Sequence, residues 1–159
     1  MRIRTLRQRP APRLTLAAVR AAALASAAAA LLIAGNGVAQ DLPITPAPEG
    51  ANVSIVSPED GATVESPVTV IFGLENMGVA PAGVDKEGTG HHHLLVDQSE
   101  LPPAGKPMGE PPIHFGGGQT QTTLELEPGE HTLQLILGDH LHVPHEPPIV
   151  SEVVTITVE

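Results

Sequence analysis

Histidine is the residue type in this sequence with the clearest capacity for chemistry. All eight histidines follow residue 90, and seven of them lie in or beside three stretches rich in glycine and proline, residues 75–90, 97–119 and 138–152. Neutral imidazole is the commonest metal-binding side chain, and it suits zinc, copper and nickel. Because three or four converging imidazoles make a metal site, the function depends on whether the fold brings these residues together.

The run His91-His92-His93 begins a short apolar strand, in which alternate side chains point to opposite faces. Leu94 and Val96 are the best core pair, and His92 shares their face, so His92 is expected to be structural. His91 and His93 project from the other face as a pair. The predicted metal ligands are His91, His93, His114, His140, His142 and His145.

The identity of the metal follows from the other ligand types in the chain. Cysteine is absent, and Met77 and Met108 are the only methionines after the first residue. Soft-ligand copper(I) chemistry is therefore not expected, and zinc or copper(II) is the predicted cofactor. Asp139 and Glu146 are candidates for further ligands or for carboxylates that orient the rings. The alternative is that the histidines only hydrogen-bond loop carbonyls.

The elements that must position these residues are short strands. Period-two alternation between glycine and proline clusters predicts six of them, at residues 53–56, 68–74, 92–96, 120–127, 131–137 and 153–158. The Pro128-Gly129 turn predicts that the fourth and fifth strands form an antiparallel hairpin. The fold class is all-β, and an immunoglobulin-like antiparallel β-sandwich of about six to eight strands is expected.

An immunoglobulin-like path predicts where the histidines meet. Successive strands alternate in direction, so the connections alternate between the two ends of the sandwich. Residues 75–90, His114 and residues 138–152 then share one end with the start of the His92 strand. Six or seven histidines are predicted at that end. His131 starts the fifth strand at the other end, where only a structural role is expected.

The N-terminal region predicts export. Residues 1–20 carry six arginines and no acid, an apolar run of 14 residues follows at 21–34, and Gly37-Val38-Ala39 suits signal peptidase. The run is short for a membrane span, which needs about 20 residues. We therefore predict a signal peptide at 1–39, a flexible linker at 40–52 and a β-sandwich domain at 53–159. The mature protein is expected to be periplasmic or secreted, without stable membrane insertion.

Removal of the predicted signal changes the charge. Two lysines remain against 18 acids, which gives the mature chain a formal charge of −16. Nucleic acid and anionic membranes are poor partners for such a protein, whereas cations and basic surfaces are better ones. The acidity also suits a saline habitat, and the sequence does not separate the two explanations or name a protein partner.

Four motifs in order resemble one known family. They are His91 to Asp97 (HHHLLVD), His114 to Thr120 (HFGGGQT), Pro128 to Leu135 (PGEHTLQL), and Gly138 to Pro148 with its three histidines. Together they are similar to the bacterial domain-of-unknown-function family 4399, over about residues 53–159. The resemblance implies an exported bacterial domain and carries no established activity.

Three functions compete at this point. The first is an exported, non-catalytic module that binds a divalent transition metal at its histidine-rich end. The second is a structural or interaction module of the cell envelope, whose histidines organise loops or sense pH. The third is a metal-dependent enzyme, which the sequence favours least because no Ser-His-Asp or Cys-His arrangement stands out.

Overall fold

The computed structural model describes residues 42–159. The predicted signal peptide and the first residues of the predicted linker lie outside the described residues. The described residues belong to one compact unit by their internal contacts. In this part of the chain, no helix has the length and apolar character needed to cross a membrane.

Residues 42–159 contain nine strands and no helix, so the all-β prediction is confirmed. The six predicted strands are present, and three shorter ones lie inside the predicted connections. In chain order they are β1 Asn52–Ser57, β2 Ala62–Val64, β3 Val68–Glu75, β4 Gly78–Val79, β5 Thr89–Val96, β6 Ile113–His114, β7 Gln121–Leu124, β8 Gly129–Gly138 and β9 Val154–Val158.

The strands form two sheets in an immunoglobulin-like order. One sheet has the order β1-β3-β7, and the other has the order β2-β9-β8-β5-β4, with β6 also paired to β5. Most neighbours are antiparallel, while β2 joins β9 and β4 joins β5 in parallel. Because β5, β8 and β9 face β1, β3 and β7, the pairing corresponds to the two sheets of an immunoglobulin-like sandwich.

The core between the sheets is aliphatic with a small aromatic centre. Alternate residues of β3 point inward, and Val70 and Phe72 are buried there. Phe72 packs edge-on against Phe115 at 4.9 Å between ring centroids and against the His92 ring at 5.0 Å. The third long strand of antibody domains carries a buried Trp at its core; here β5 places His92 there.

The predicted hairpin between the fourth and fifth strands is wrong. β7 pairs with β3 in one sheet, whereas β8 lies in the other sheet between β5 and β9. Both edges of β8 are therefore occupied, and β7 has no edge to join. The Pro128-Gly129 turn instead crosses between the sheets, and Gly129 adopts a positive φ of 144° that favours glycine at this crossing.

Two predicted connections fold back over the outer face of β5. Leu95 is buried there with Met108 and Ile136 in a second apolar cluster, against which Val150 packs. The predicted alternation along β5 is confirmed, because Leu94 lies in the main core while Leu95 points away from it. Strand β5 is consequently buried on both faces, unlike the strands of a sandwich with one solvated face.

Part of the predicted linker is attached to the domain. The backbone of Ala47 donates to the carbonyl of Glu146, and the Glu146 amide donates to the carbonyl of Thr45. The Thr45 hydroxyl also donates to the Asp139 carboxylate at 2.7 Å. A stretch rich in proline has few backbone N–H donors. The Ala47 amide is one of them, and it is used to attach the stretch to the domain.

A histidine–carboxylate pair closes the end of the sandwich opposite the start of β5. Nδ1 of His131 lies 2.8 Å from Asp97, and the other ring nitrogen lies 2.9 Å from the carbonyl of Glu127. The Asp97 hydrogen bond raises the pKa of His131. Burial opposes ionisation of Asp97, but its bonds to Thr132 and His131 hold its pKa below the ordinary value. His131 therefore has a local structural role.

This pair predicts a measurable pH dependence. Asp97→Asn keeps an acceptor for the Thr132 amide and suits the left-handed φ of 54° at this position. We expect the NMR-titrated pKa of His131 to fall toward about 6.5 in this variant. In the wild type, protonated His131 gives its whole stabilisation below about pH 6.5. That stabilisation is lost as the pH rises through the raised pKa of His131. An unchanged His131 pKa in the variant would contradict the assignment.

Candidate metal centre

The outer face of β5 carries two buried histidines, His91 and His93, which are separated by one residue and lie side by side. His91 and His93 are 1% and 0% exposed, and their ring centroids are 4.8 Å apart. They point away from the main core because they alternate with His92 and Leu94. The loops that cover this face remove both rings from water.

His114 reaches the pair through strand pairing. It lies on β6, directly opposite His93 in an antiparallel register. Its ring stacks on that of His93 at 5.0 Å with an interplanar angle of 26°, and it lies 5.0 Å from the His91 ring. A Cβ on Gly116 would clash with this ring, so the glycine leaves the space that the imidazole occupies.

His142 arrives from a tight turn after β8. The Asp139 carboxylate accepts hydrogen bonds from the amides of Leu141 and Val143 and shapes this turn. His142 has a φ of 66°, a left-handed conformation that is uncommon for a residue other than glycine and costs about 1 kcal/mol or more. The turn directs its ring to within 5.0 Å of His91 and 4.6 Å of His114.

These four residues form one group, which we call the four-histidine cluster: His91, His93, His114 and His142. Within it, one ring nitrogen from each of His91, His114 and His142 lies within 4.8 Å of the other two. Tetrahedral zinc, held at about 2.0–2.1 Å by each nitrogen, needs nitrogens about 3.3 Å apart. His114 is exposed and His142 is half-buried, so rotation of these two rings can provide the contraction.

The buried rings of the cluster have nitrogens without hydrogen-bond partners. They are Nε2 of His91 and both ring nitrogens of His93. A buried polar atom left unpaired costs about 1–3 kcal/mol, so such atoms are rare in folded proteins. Nε2 of His92 and Nδ1 of His145 are unpaired as well, so three of the five such nitrogens in residues 42–159 lie where the four imidazoles meet.

The electrostatics of the cluster keep its lone pairs available. Burial, reinforced by the neighbouring His142 and His114 rings, lowers the pKa of His91 to about 4. Burial and the adjacent rings lower the pKa of His93 to about 3. Both rings are consequently neutral at pH 7, and a neutral imidazole has one nitrogen free to bind a metal.

The structure does not bring the other two predicted ligands into the cluster. His140, two residues before His142, turns toward Asp85 with 3.7 Å between its Nδ1 and the carboxylate. His145 is 1% exposed and has an unpaired Nδ1, but its ring lies beside Gly90 on the core side of β5. The prediction that His140 and His142 form a pair required an extended strand, and the turn at Asp139 ends it.

The two carboxylates near the last histidines have other tasks. Asp139 is 1% exposed, and its three hydrogen bonds to the turn and to Thr45 occupy its oxygens. Glu146 is exposed and contributes its backbone to the pairing with residues 45–47. Asp139 therefore positions His142 through the backbone of the turn.

The sequence prediction considered only metal ligands and missed the glycines that leave space for the histidine rings. A Cβ on Gly138 would lie 2.8 Å from the His93 ring and 3.3 Å from the His142 backbone, and Gly116 does the same for His114. The signal was present, since each glycine lies within four residues of a histidine. Their purpose depends on contacts between strands, which a sequence does not display.

The unpaired, neutral histidines predict acid sensitivity of the metal-free domain. The pKa values of His91 and His93 are lower in the folded than in the unfolded protein, so the unfolded state binds more protons below about pH 6.5. Stability is therefore lost as the pH falls. We expect the free energy of unfolding, measured with urea in the presence of a chelator, to be lower at pH 5 than at pH 7.5 by about 2 kcal/mol or more. Equal values would contradict burial of the neutral rings.

Comparison with known proteins places this arrangement in a family. No curated protein matches the chain. A family model described as "Domain of unknown function (DUF4399)" matches residues 70–159, a span that runs from β3 to β9 and contains every histidine. Since the match covers more than half of the sequence and agrees with the resemblance of the four motifs, the chain belongs to the DUF4399 family of domains of unknown function.

Proposed function

We propose that this protein is an exported, non-catalytic module that binds a divalent transition metal, zinc or copper(II), at the four-histidine cluster. The observation that carries the proposal is the convergence of four imidazole rings, two of them buried with unpaired nitrogens. His91, His114 and His142 are the ligand set with the closest nitrogens. His93, stacked on His114, is the fourth ligand.

A purely structural role fits the cluster less well than it fits the other histidines. His92 places Nδ1 3.1 Å from the carbonyl of Gln119, and His131 lies 2.9 Å from the carbonyl of Glu127. Those two rings organise the backbone. His92 keeps one ring nitrogen unpaired, whereas neither nitrogen of His93 makes a hydrogen bond of good geometry, so loop organisation accounts for His93 least.

The charge of the protein supports a cationic ligand. After the predicted signal the chain carries 18 acids and only Lys86 and Lys106 as permanent cations. A net negative field raises the local concentration of cations near the surface. Export, which the N-terminal pattern predicts, would place this field in a compartment where metal supply varies with the surroundings.

Direct metal titration tests the proposal. We expect the untagged mature protein to bind about one equivalent of Zn²⁺ or Cu²⁺ at pH 7.5, measured by calorimetry against a competing chelator. His114→Ala combined with His142→Ala removes two ligands from the less buried side of the cluster. The affinity should fall more than about 100-fold, since even changes behind the ligands cost 10- to 100-fold.

His140→Ala is the matched control for this titration, because His140 lies in the same turn but faces Asp85. It should bind metal as the wild type does. No binding by the wild type at pH 7.5, or equal binding by the double variant, would disprove the proposed function.

The glycine that accommodates His114 provides a second prediction. Gly116→Ala puts a methyl group where the exposed His114 ring lies, and the ring can swing into solvent. We expect metal affinity to fall at least about 10-fold with little loss of thermal stability. Gly117→Ala is the control, since its Cβ would meet only the flexible end of Gln119. Equal affinities of the two variants would refute the placement of His114.

A further inference from the structure

Met108 lies beside the four-histidine cluster, although it follows His93 by 15 residues along the chain. Its terminal carbon and Cε1 of His93 are each 2.8 Å from the place that a Cβ on Gly138 would occupy. The methyl end of the Met108 side chain and the His93 imidazole are therefore neighbours over that glycine. Met108 is 8% exposed, so this contact is shielded from water.

The backbone holds Met108 in this position. Its amide donates a hydrogen bond of 2.8 Å to the carbonyl of His142. The connection between β5 and β6 is thus fastened to the turn that presents His142. Met108 therefore lies beside two members of the cluster: its terminal carbon is near the His93 ring, and its amide is bonded to the His142 backbone.

A thioether available beside imidazoles would change the metal preference of the cluster. Thioethers are soft ligands that select copper(I), while imidazole binds copper in both oxidation states as well as zinc. The small number of methionines in the mature chain argued against copper(I) from the sequence. Placement of one of them at the cluster reverses that argument.

The charge of the ligand set favours the monovalent ion too. Imidazoles and a thioether are all neutral, and the nearby Asp139 carboxylate is engaged by its own turn. The cost of taking an ion out of water rises with the square of its charge, so Cu⁺ costs about a quarter of what a divalent ion of the same size costs. A partly buried site without an anionic ligand therefore disfavours both Zn²⁺ and Cu²⁺ relative to Cu⁺. The preference for Cu²⁺ over Zn²⁺ rests instead on the higher affinity of Cu²⁺ for nitrogen ligands.

From these observations we propose that Met108 is a soft ligand of the four-histidine cluster, and that the site holds copper as both Cu⁺ and Cu²⁺ in preference to zinc. The inference rests on the proposed function of the cluster. It adds the identity of the metal and one ligand that is not a histidine, Met108.

Met77 offers a matched control within the same domain. Its terminal carbon lies 3.0 Å from the place of a Cβ on Gly90, close to the His145 ring, and it packs against the main core. Both methionines are thus neighbours of a buried histidine across a glycine. Of the two, Met108 is the one on the face of β5 that carries the cluster.

The first experiment compares Met108→Leu with Met77→Leu. Cu⁺ affinity is measured by competition with bicinchoninate under anaerobic reduction, and Zn²⁺ affinity by calorimetry. We expect Met108→Leu to weaken Cu⁺ binding at least about 10-fold and Zn²⁺ binding less than about 3-fold. Met77→Leu should change neither. Unchanged Cu⁺ affinity in Met108→Leu, or equal losses for both metals, overturns the inference.

The second experiment requires no substitution at Met108. Copper K-edge X-ray absorption is recorded on Cu⁺-loaded Met77→Leu protein in which methionine is replaced by selenomethionine. A copper–selenium vector is expected, and its absence overturns the inference even if Met108→Leu fails to fold. If the wild type binds zinc and Cu²⁺ but the Met77→Leu sample shows no such vector, the proposed function stands and only this inference fails. If the wild type binds no metal, both the proposed function and this inference are disproved.

Discussion

The burial of strand β5 on both faces is the constraint on which the candidate site depends. Its inner face places His92 and Leu94 against the aromatic centre of the sandwich. Its outer face is covered by the connections that carry Met108 and His142. Since side chains alternate along a strand, His91 and His93 must enter this second dry layer. Water is excluded from their nitrogens, and the pKa values fall for the same reason.

Hydrogen bonds fasten the covering loops, together with buried apolar side chains such as Met108 and Val143. The Asp139 carboxylate accepts from two amides of its turn, and Thr45 ties a distant stretch of chain to the same carboxylate. The Met108 amide fixes a further connection to His142. Such anchoring suits a binding site, because ligands must be held in place by groups whose own positions are determined.

The eight histidines show that residue type alone does not decide function. His92 and His131 lie against carbonyls, and His140 turns toward Asp85. The members of the four-histidine cluster instead meet one another, and His91 and His93 hold three of the five buried, unpaired ring nitrogens in residues 42–159. The difference lies in what each ring meets in space. Sandwiches host many functions, so the function must be argued from this local arrangement.

Much of the architecture was predictable because local patterns report it. Alternation of apolar residues predicted the six main strands and the opposite faces of His92 and His93, since these depend only on the pleat of one strand. The prediction of the hairpin at Pro128-Gly129 failed. A short turn indicates that two strands are near each other, whereas the choice of sheet depends on which edges are free, and both edges of β8 are taken.

The sequence by itself determined the fold class, the acidity and the supply of imidazoles. Tertiary structure alone decided which of them meet: it separated His140 from His142 by a turn that one buried carboxylate shapes. It also brought Met108 to His93 over a glycine. Contacts between residues far apart in the chain arise from packing and strand pairing, which depend on all the elements at once. Local patterns carry no record of them, and for that reason the site emerged only from the fold.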